Sequence, residues 1–108
     1  MGEESINVAM GLITGAGDSR SYCMEAIDLA RDSKFAEARE ALDKAIKGMI
    51  ETHEVQTDLI REEMTGEGHP VSLLMVHAQD HLNLALIMRD IAEEMIRIYE
   101  RLDKLEGK

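Results

Sequence analysis

The sequence is poor in the residues that build sheets and covalent cross-links. Its 108 residues include one cysteine, one proline, no tryptophan, one phenylalanine and two tyrosines. The single cysteine excludes a disulfide within the chain and suits a reducing compartment, so we expect a cytoplasmic protein. The scarcity of aromatic residues and of β-branched runs argues against a sheet protein.

Positive charge and long apolar runs are scarce as well. The net charge is −10, which disfavours nucleic acid as a partner because proteins that bind it are usually basic. The longest apolar stretch, residues 71–88, is interrupted by two histidines and an aspartate. It is therefore a poor membrane span, and we expect no direct membrane insertion. No basic segment followed by an apolar one opens the chain, so no signal peptide is expected.

Helix-forming residues are abundant, and apolar residues recur every three or four positions. The length suits one domain, residues 1–108. We predict an all-α fold, an antiparallel three-helix bundle with helices over about residues 4–31, 35–64 and 71–105. Short polar turns make consecutive helices antiparallel neighbours. Ser33 is expected to cap the second helix, Gly66 to end it, and Pro70 to lie in the first turn of the third.

The first two predicted helices each carry one inward-facing stripe. The stripe of the first helix is made mostly of small residues, so a neighbour can approach closely. Nearby glycines at positions 11, 15 and 17 indicate a kink, a tight crossing or a ligand close to the backbone. The inward positions are Leu12, Ala16, Ser19, Cys23, Ala26 and Ala30 in the first helix, and Phe35, Ala38, Leu42, Ala45, Met49, Thr52, Gln56 and Leu59 in the second.

The third predicted helix is apolar on two sides. A heptad pattern places His77 and His81 in an apolar seam, one turn apart. Asp80 lies on a second apolar arc that one bundle cannot cover, so a subunit interface is expected there. In a cyclic assembly the symmetry mates of Asp80 meet at the axis, where their carboxylates can share a hard cation such as Mg²⁺. The seam holds Leu74, His77, His81, Leu84, Met88, Ile91, Met95, Ile98, Leu102 and Leu105, and the arc holds Leu73, Val76, Leu84 and Ile87.

The pair His77 and His81 shares one helix face at a spacing of four residues. This spacing suits two kinds of chemistry. A metal site is one, although the sequence between them matches neither the zinc-protease nor the di-iron pattern. Phosphoryl transfer is the other, with His77 as the nucleophile and Gln79 and His81 as donors to the phosphoryl oxygens. A helical bundle that binds an apolar ligand is a third and weaker hypothesis, because it gives Asp80 no role.

Other polar residues receive plainer interpretations. His53 is expected to be a hydrogen-bonded core residue, His69 a solvated turn residue, and Cys23 an unreactive core thiol. When the helices are folded back on their turns, Thr52 and Gln56 of the second helix reach the level of His77 to His81, and so do residues 8–12 of the first helix, with its glycines nearby. Polar interruptions of all three helices therefore fall close together, which indicates a functional site.

Three segments carry a family resemblance: LLMVHAQDHL, the preceding HEVQTDLI, and AGDSRS near the N-terminus. Together they resemble the lactose/cellobiose-specific enzyme IIA family of the bacterial phosphoenolpyruvate-dependent sugar phosphotransferase system. The likeness runs from about Glu4 to Arg101. It implies a homotrimer, a nine-helix bundle, that carries phosphoryl groups. The group would come from the histidine-containing phosphocarrier protein and pass to a cysteine of enzyme IIB during uptake of a lactose-, cellobiose- or chitobiose-type sugar.

The resemblance also implies residue roles. His77 matches the phosphorylated histidine, which would react through Nε2. Asp80 matches the aspartate that binds one Mg²⁺ or other divalent cation per trimer at the axis. Gln79 and His81 match residues beside the phosphoryl site. The segment 83–85, Asn-Leu-Ala, departs from the Met-Thr-small pattern frequent in the family, which bears on the interface only. The alternative from the residues alone is a structural or metal-binding helical oligomer without phosphotransfer.

Overall fold

A computed structural model describes residues 2–107 as three long antiparallel helices, as predicted. They are α1 (Glu3–Arg31), α2 (Phe35–Met64) and α3 (Leu73–Leu105). The bundle measures 59 × 21 × 19 Å. Helix α1 packs extensively against both other helices, whereas α2 and α3 contact each other much less. Over the described part of the chain, none of the helices combines the length and hydropathy needed to cross a membrane.

The core runs along the bundle in two clusters joined by the small side chains of α1. The inward stripe predicted for α1 is buried throughout, and that of α2 is buried or half-buried. Alanine dominates both clusters, so the helices lie close together. The first cluster contains Cys23, Ala26, Ala30, Ala38, Ala41, Leu42, Ala45, Ala92 and Ile96. The second contains Ala9, Leu12, Ala16, Met49, Ala78, Leu82 and Ala85.

One glycine of α1 marks a tight crossing, which is one of the three interpretations predicted for the glycine cluster. A Cβ atom added to Gly15 would lie 2.4 Å from Oγ1 of Thr52 on α2. The Thr52 hydroxyl is held in place because it donates to the carbonyl of Gly48 at 2.9 Å. By contrast, Gly11 and Gly17 have open space where a Cβ would be. Of these three glycines of α1, therefore, only Gly15 is required for the approach of α2, and on α2 a Cβ atom added to Gly48 would lie 2.9 Å from Oγ of Ser19.

The first turn reverses the chain through a left-handed residue. Ser33 has φ 63°. Its amide donates to Ala30 at 3.0 Å, and the Lys34 amide donates to Leu29 at 2.9 Å, so the last carbonyls of α1 are satisfied in a Schellman arrangement. The predicted cap at Ser33 is wrong, because Lys34 occupies the N-cap position and no side chain caps α2. The Ser33 hydroxyl instead donates to Asp103 at 2.7 Å.

The second turn ends α2 as predicted and starts α3 later than predicted. Gly66 has φ 85°, and its amide and that of the next residue donate to the carbonyls of Glu63 and Glu62 at 3.2 and 2.9 Å. Helix α3 begins at Leu73 instead of residue 71. Ser72 caps it by accepting a hydrogen bond from the Met75 amide at 3.1 Å. Pro70 therefore lies in the turn and not in the first helical turn.

The predicted apolar seam of α3 is not the face that packs inside the subunit. The buried face consists of Ala78, Leu82, Ala85, Ala92 and Ile96. Members of the predicted seam are exposed or half-buried, and Leu84, for example, is 61% exposed. The correction has a physical cause, since small alanines allow the closest approach to the alanine stripe of α1. The larger side chains on the other side of the helix are left facing outwards.

Candidate functional site

The two histidines predicted as a pair do meet in the structure. Nε2 of His81 lies 3.1 Å from Nε2 of His77. The rings are perpendicular, with centroids 4.5 Å apart. His77 is exposed and His81 is half-buried. The pair therefore forms a small imidazole surface that solvent and partner molecules can reach.

The position of the pair follows from its neighbours on α3. Ala78 and Leu82 directly follow the two histidines and are completely buried. These anchors set the rotation of α3 about its axis, and the cap at Ser72 sets where the helix begins. The i, i+4 spacing then places both rings on the same side of the helix. The imidazoles are thus held by a rigid helix instead of by a loop.

The contact between the two Nε2 atoms constrains the protons of the pair. A hydrogen bond between two ring nitrogens needs one N–H and one lone pair. In the neutral pair, therefore, one ring carries its hydrogen on Nε2 and the other presents a lone pair there. The accepting ring carries its own hydrogen on Nδ1. A lone pair held in this way can attack phosphorus or bind a metal ion.

Gln79 faces away from the pair. Its side-chain oxygen accepts a hydrogen bond from Gln56 of α2 at 2.7 Å. Its amide nitrogen contacts the sulfur of Met75 at 3.8 Å, and within residues 2–107 it has no hydrogen bond with His77. The subunit confirms the predicted proximity of Gln56 to this level. In the subunit Gln79 forms a helix-to-helix hydrogen bond, and its contact with a phosphoryl oxygen stays a prediction.

Asp80 lies in a stripe of exposed apolar side chains, which confirms that α3 has a second apolar face. Within the described residues its carboxylate forms no hydrogen bond or ion pair. Residues 2–107 also contain no cluster of three or more histidine, cysteine or acidic side chains that could hold a metal ion. A single subunit therefore offers only one carboxylate at this position. The stripe, which we call the outer face of α3, consists of Leu73, Val76, Leu84, Ile87, Ile91, Ile98, Leu102 and Leu105.

The burial of the other two histidines, His53 and His69, is the reverse of what the sequence predicted. His53, expected in the core, is exposed and lines an open groove with Leu86 and Arg89 of α3. His69, expected to be solvated, has a side chain only 15% exposed. Its Nδ1 lies 2.5 Å from the hydroxyl of Ser5, and its Nε2 lies 3.5 Å from Glu62. This link from the second turn to α1 had no signal in the sequence, since it joins residues 64 positions apart.

Cys23 behaves as the predicted unreactive thiol. It is completely buried, and burial raises the pKa of the thiol, with a smaller opposing effect from the charge of Arg89. The thiol is therefore protonated near neutral pH. The chemistry available on the described surface rests on the histidine pair and not on sulfur.

The fold and the site define the class of small three-helix proteins that present a pair of accessible imidazoles on one rigid helix. Comparison with known proteins specifies the family. Residues 7–100 match the family described as "PTS system, Lactose/Cellobiose specific IIA subunit". The chain belongs to this lactose/cellobiose-specific IIA family of the phosphotransferase system.

Similarity to curated relatives extends over the whole chain. It is 41% identical to the galactose-specific EIIA component of Lactococcus lactis subsp. cremoris, covering 98% of this chain and 91% of the relative. It is 40% identical to the lichenan-specific phosphotransferase enzyme IIA component of Bacillus subtilis, covering 99% and 97%. It is 41% identical to the N,N'-diacetylchitobiose-specific EIIA component of Escherichia coli, covering 93% and 86%.

Solved structures agree with this assignment. The cellobiose-specific enzyme IIA of Bacillus anthracis superposes with a TM-score of 0.92 at 39% identity, covering 96% of this chain and 95% of that one. The IIA(Chitobiose)–HPr complex of E. coli gives a TM-score of 0.81 at 36% identity, covering 94% and 99%. The chain is therefore an EIIA component of the lactose, cellobiose or chitobiose type, a phosphoryl carrier of the phosphotransferase system. An oligomer without phosphotransfer activity is not favoured.

Proposed function

We propose that His77 is the residue that carries the phosphoryl group, through Nε2. The observation that supports this proposal is the exposed side chain of His77, whose Nε2 lies 3.1 Å from Nε2 of His81. Of the four histidines, only His53 is similarly exposed, and it has no imidazole partner. His69 is occupied by Ser5 and Glu62. His77 thus combines access with a neighbour that orients its ring.

The proposed transfer needs no base. The Nε2 lone pair of neutral His77 forms a bond to phosphorus, while the nitrogen–phosphorus bond of the donor breaks and its electron pair returns to the donor imidazole. His77 retains its hydrogen on Nδ1 and takes up the imidazolium charge that the donor loses. The Nε2–H of His81, which points at the lone pair before transfer, can then donate to a phosphoryl oxygen. Transfer onward to an enzyme IIB reverses these steps, with a thiolate as the acceptor.

The partners are proposed from the family and from one solved complex. The chitobiose IIA of that complex binds HPr, so we assign the same histidine-containing phosphocarrier protein as donor to this chain. A cysteine of the cognate enzyme IIB is the assigned acceptor. The transported sugar is of the lactose, cellobiose or chitobiose type, and its selection is assigned to the membrane component.

We further propose that three subunits associate through the outer face of α3. Eight large apolar side chains line this face along the whole length of the helix. Such an apolar stripe is typical of an interface and is unfavourable in water. A three-fold axis along α3 would bury all three stripes against one another and produce a nine-helix bundle.

Asp80 would then meet its symmetry mates at the axis. Three carboxylates in an apolar interface repel one another unless a cation joins them. Carboxylate oxygens suit a hard divalent ion such as Mg²⁺. One such ion per trimer would offset two of the three negative charges and hold the subunits in register, and no phosphoryl chemistry is assigned to it.

The phosphoryl site is tested by incubating the protein with phosphoenolpyruvate, enzyme I and HPr and measuring its mass. The native protein should gain one phosphoryl group, and His77→Ala should gain none. His53→Ala, which changes another exposed histidine of the same chain, is the matched control and should be phosphorylated normally. A phosphorylated His77→Ala protein would refute the assignment. For the assembly, sedimentation with and without chelator should give a trimer with metal, and a monomer under both conditions would refute it.

A further inference from the structure

We infer that His77 and His81 form a binding site for a transition-metal ion such as Zn²⁺, and that metal and phosphoryl group exclude each other. The site is distinct from the Mg²⁺ proposed at Asp80. The observation that supports this inference is the distance of 3.1 Å between the two Nε2 atoms. Two imidazoles bound to tetrahedral Zn²⁺ at 2.0–2.1 Å hold their nitrogens about 3.3 Å apart. The pair needs to open by only a few tenths of an ångström to chelate the ion.

The motion that chelation requires is small. The rings are perpendicular, with centroids 4.5 Å apart, so one ring at present directs its N–H at the other. Rotation about the bond between Cβ and the ring, a soft torsion for histidine, turns both lone pairs towards a common point. The helix backbone can stay in place because Ala78 and Leu82 anchor it.

Metal binding by the neutral histidine pair releases no proton overall. Chelation requires a lone pair on both Nε2 atoms, whereas the metal-free neutral pair has one lone pair and one N–H. The hydrogen on the donor Nε2 moves through solvent to Nδ1 of the same ring. Each neutral imidazole then carries its hydrogen on Nδ1 and binds the metal through Nε2.

The ligand set selects the class of metal. Imidazole suits Zn²⁺, Cu²⁺ and Ni²⁺, while Mg²⁺ and Ca²⁺ prefer oxygen ligands. Residues 2–107 gather no third histidine, cysteine or carboxylate at this point, so water completes the coordination sphere. The exposure of His77 provides room for that water. Cys23 does not compete, since it is buried.

The mutual exclusion rests on the proposed phosphoryl site at His77. A phosphoryl group on Nε2 uses the same lone pair that the metal requires. Each ligand must therefore weaken the binding of the other by the same factor, because linkage is reciprocal. A rise in free transition metal would hold the carrier in its unphosphorylated form.

The first experiment measures Zn²⁺ binding to the full unphosphorylated protein by isothermal titration calorimetry. We expect one saturable Zn²⁺ per subunit, and loss of that binding in His77→Ala and in His81→Ala. Excess Mg²⁺ is present throughout to occupy the site proposed at Asp80, and His53→Ala should bind Zn²⁺ as the native protein does. Circular dichroism confirms that each variant is folded, and His77→Ala is the safer variant because its side chain is exposed. Absence of binding, or binding that survives in both His77→Ala and His81→Ala, would overturn the site.

The second experiment measures whether bound Zn²⁺ and the phosphoryl group exclude each other. Purified phospho-HPr is mixed with the protein in a single turnover, with and without Zn²⁺, and the phosphorylated protein is titrated with Zn²⁺. We expect Zn²⁺ to slow transfer to the native protein, a chelator to restore it, and the phosphorylated protein to lose the site. Transfer to His81→Ala, relative to its own metal-free rate, should not respond. Zn²⁺ binding without any effect on transfer would overturn the exclusion.

These results separate the two proposals. A native protein that binds Zn²⁺ through the pair but is never phosphorylated would refute the phosphoryl site and leave the metal site standing. A protein that is phosphorylated on His77 but binds no Zn²⁺ would refute only the metal site.

Discussion

Both faces of α3 are apolar in sequence, yet the subunit buries one and exposes the other. The inner face has three completely or almost completely buried alanines, together with one leucine and one isoleucine. The outer face consists of leucines, isoleucines and one valine, each at least 42% exposed. Side-chain size, and not hydropathy, therefore decides which face packs within the chain. Small residues permit close helix packing, and large ones remain available to bury area against a partner.

The largest expected effect compares two leucines on opposite faces. Leu82→Ala removes a completely buried side chain and should lower the free energy of unfolding by about 2–5 kcal/mol. Leu84→Ala, on the outer face, should change it by less than about 1 kcal/mol when the subunits are dissociated. Urea denaturation at low protein concentration measures both values. Equal losses from the two variants would mean that the faces are not distinct.

Asp80→Leu tests the outer face as an interface. The substitution removes a carboxylate from the axis of the proposed trimer, and it should stabilise the oligomer by roughly 1–4 kcal/mol and make it insensitive to chelator. Asp90→Leu is the matched control, because Asp90 lies on the same helix outside the apolar stripe and pairs with Arg89. Sedimentation over a concentration series measures the association. Dissociation of the Asp80→Leu protein would contradict the interface.

The same contrast between inner and outer positions holds on α1. Gly15→Ala places a methyl group against Thr52 and should lower the free energy of unfolding by about 1–3 kcal/mol. Gly17→Ala meets no atom within 4 Å and should raise it by about 0.5–1 kcal/mol through better helix propensity. Thermal unfolding of both variants gives the comparison. A stabilised Gly15→Ala protein would show that the two helices can separate freely.

The smallest effect concerns the buried thiol at the inner side of the bundle. Burial raises the folded-state pKa of Cys23 above its ordinary value of 9.0, so the unfolded chain ionises first as pH rises. The contribution of Cys23 to the free energy of unfolding is complete below pH 9.0. It declines above that pH until the folded thiol also ionises. Cys23→Ala should remove this part of the alkaline decline. Denaturation of both proteins on each side of that pH tests it, and parallel profiles would contradict it.

Much of the fold follows from local patterns in the sequence. Periodicity predicted three helices and the buried stripes of α1 and α2, and Gly66 predicted where α2 ends. The pairing of His77 with His81 was equally predictable, because four residues along a helix always return to the same side. The family resemblance rested on the same segment, and the match over residues 7–100 confirms it. These features depend on neighbours in sequence, which is why they could be predicted.

Three features were decided only when the helices packed. The inner face of α3 was selected by the alanine stripe of α1, whereas an apolar pattern alone could not rank two apolar faces. Gln79 forms a hydrogen bond with Gln56, and His69 forms one with Ser5, although the partners are far apart in sequence. Such contacts depend on interhelical distance and rotation, which are set by side-chain volumes from several helices at once. The sequence by itself thus determined the helices and the histidine pair, and tertiary packing determined which surfaces were left for partners.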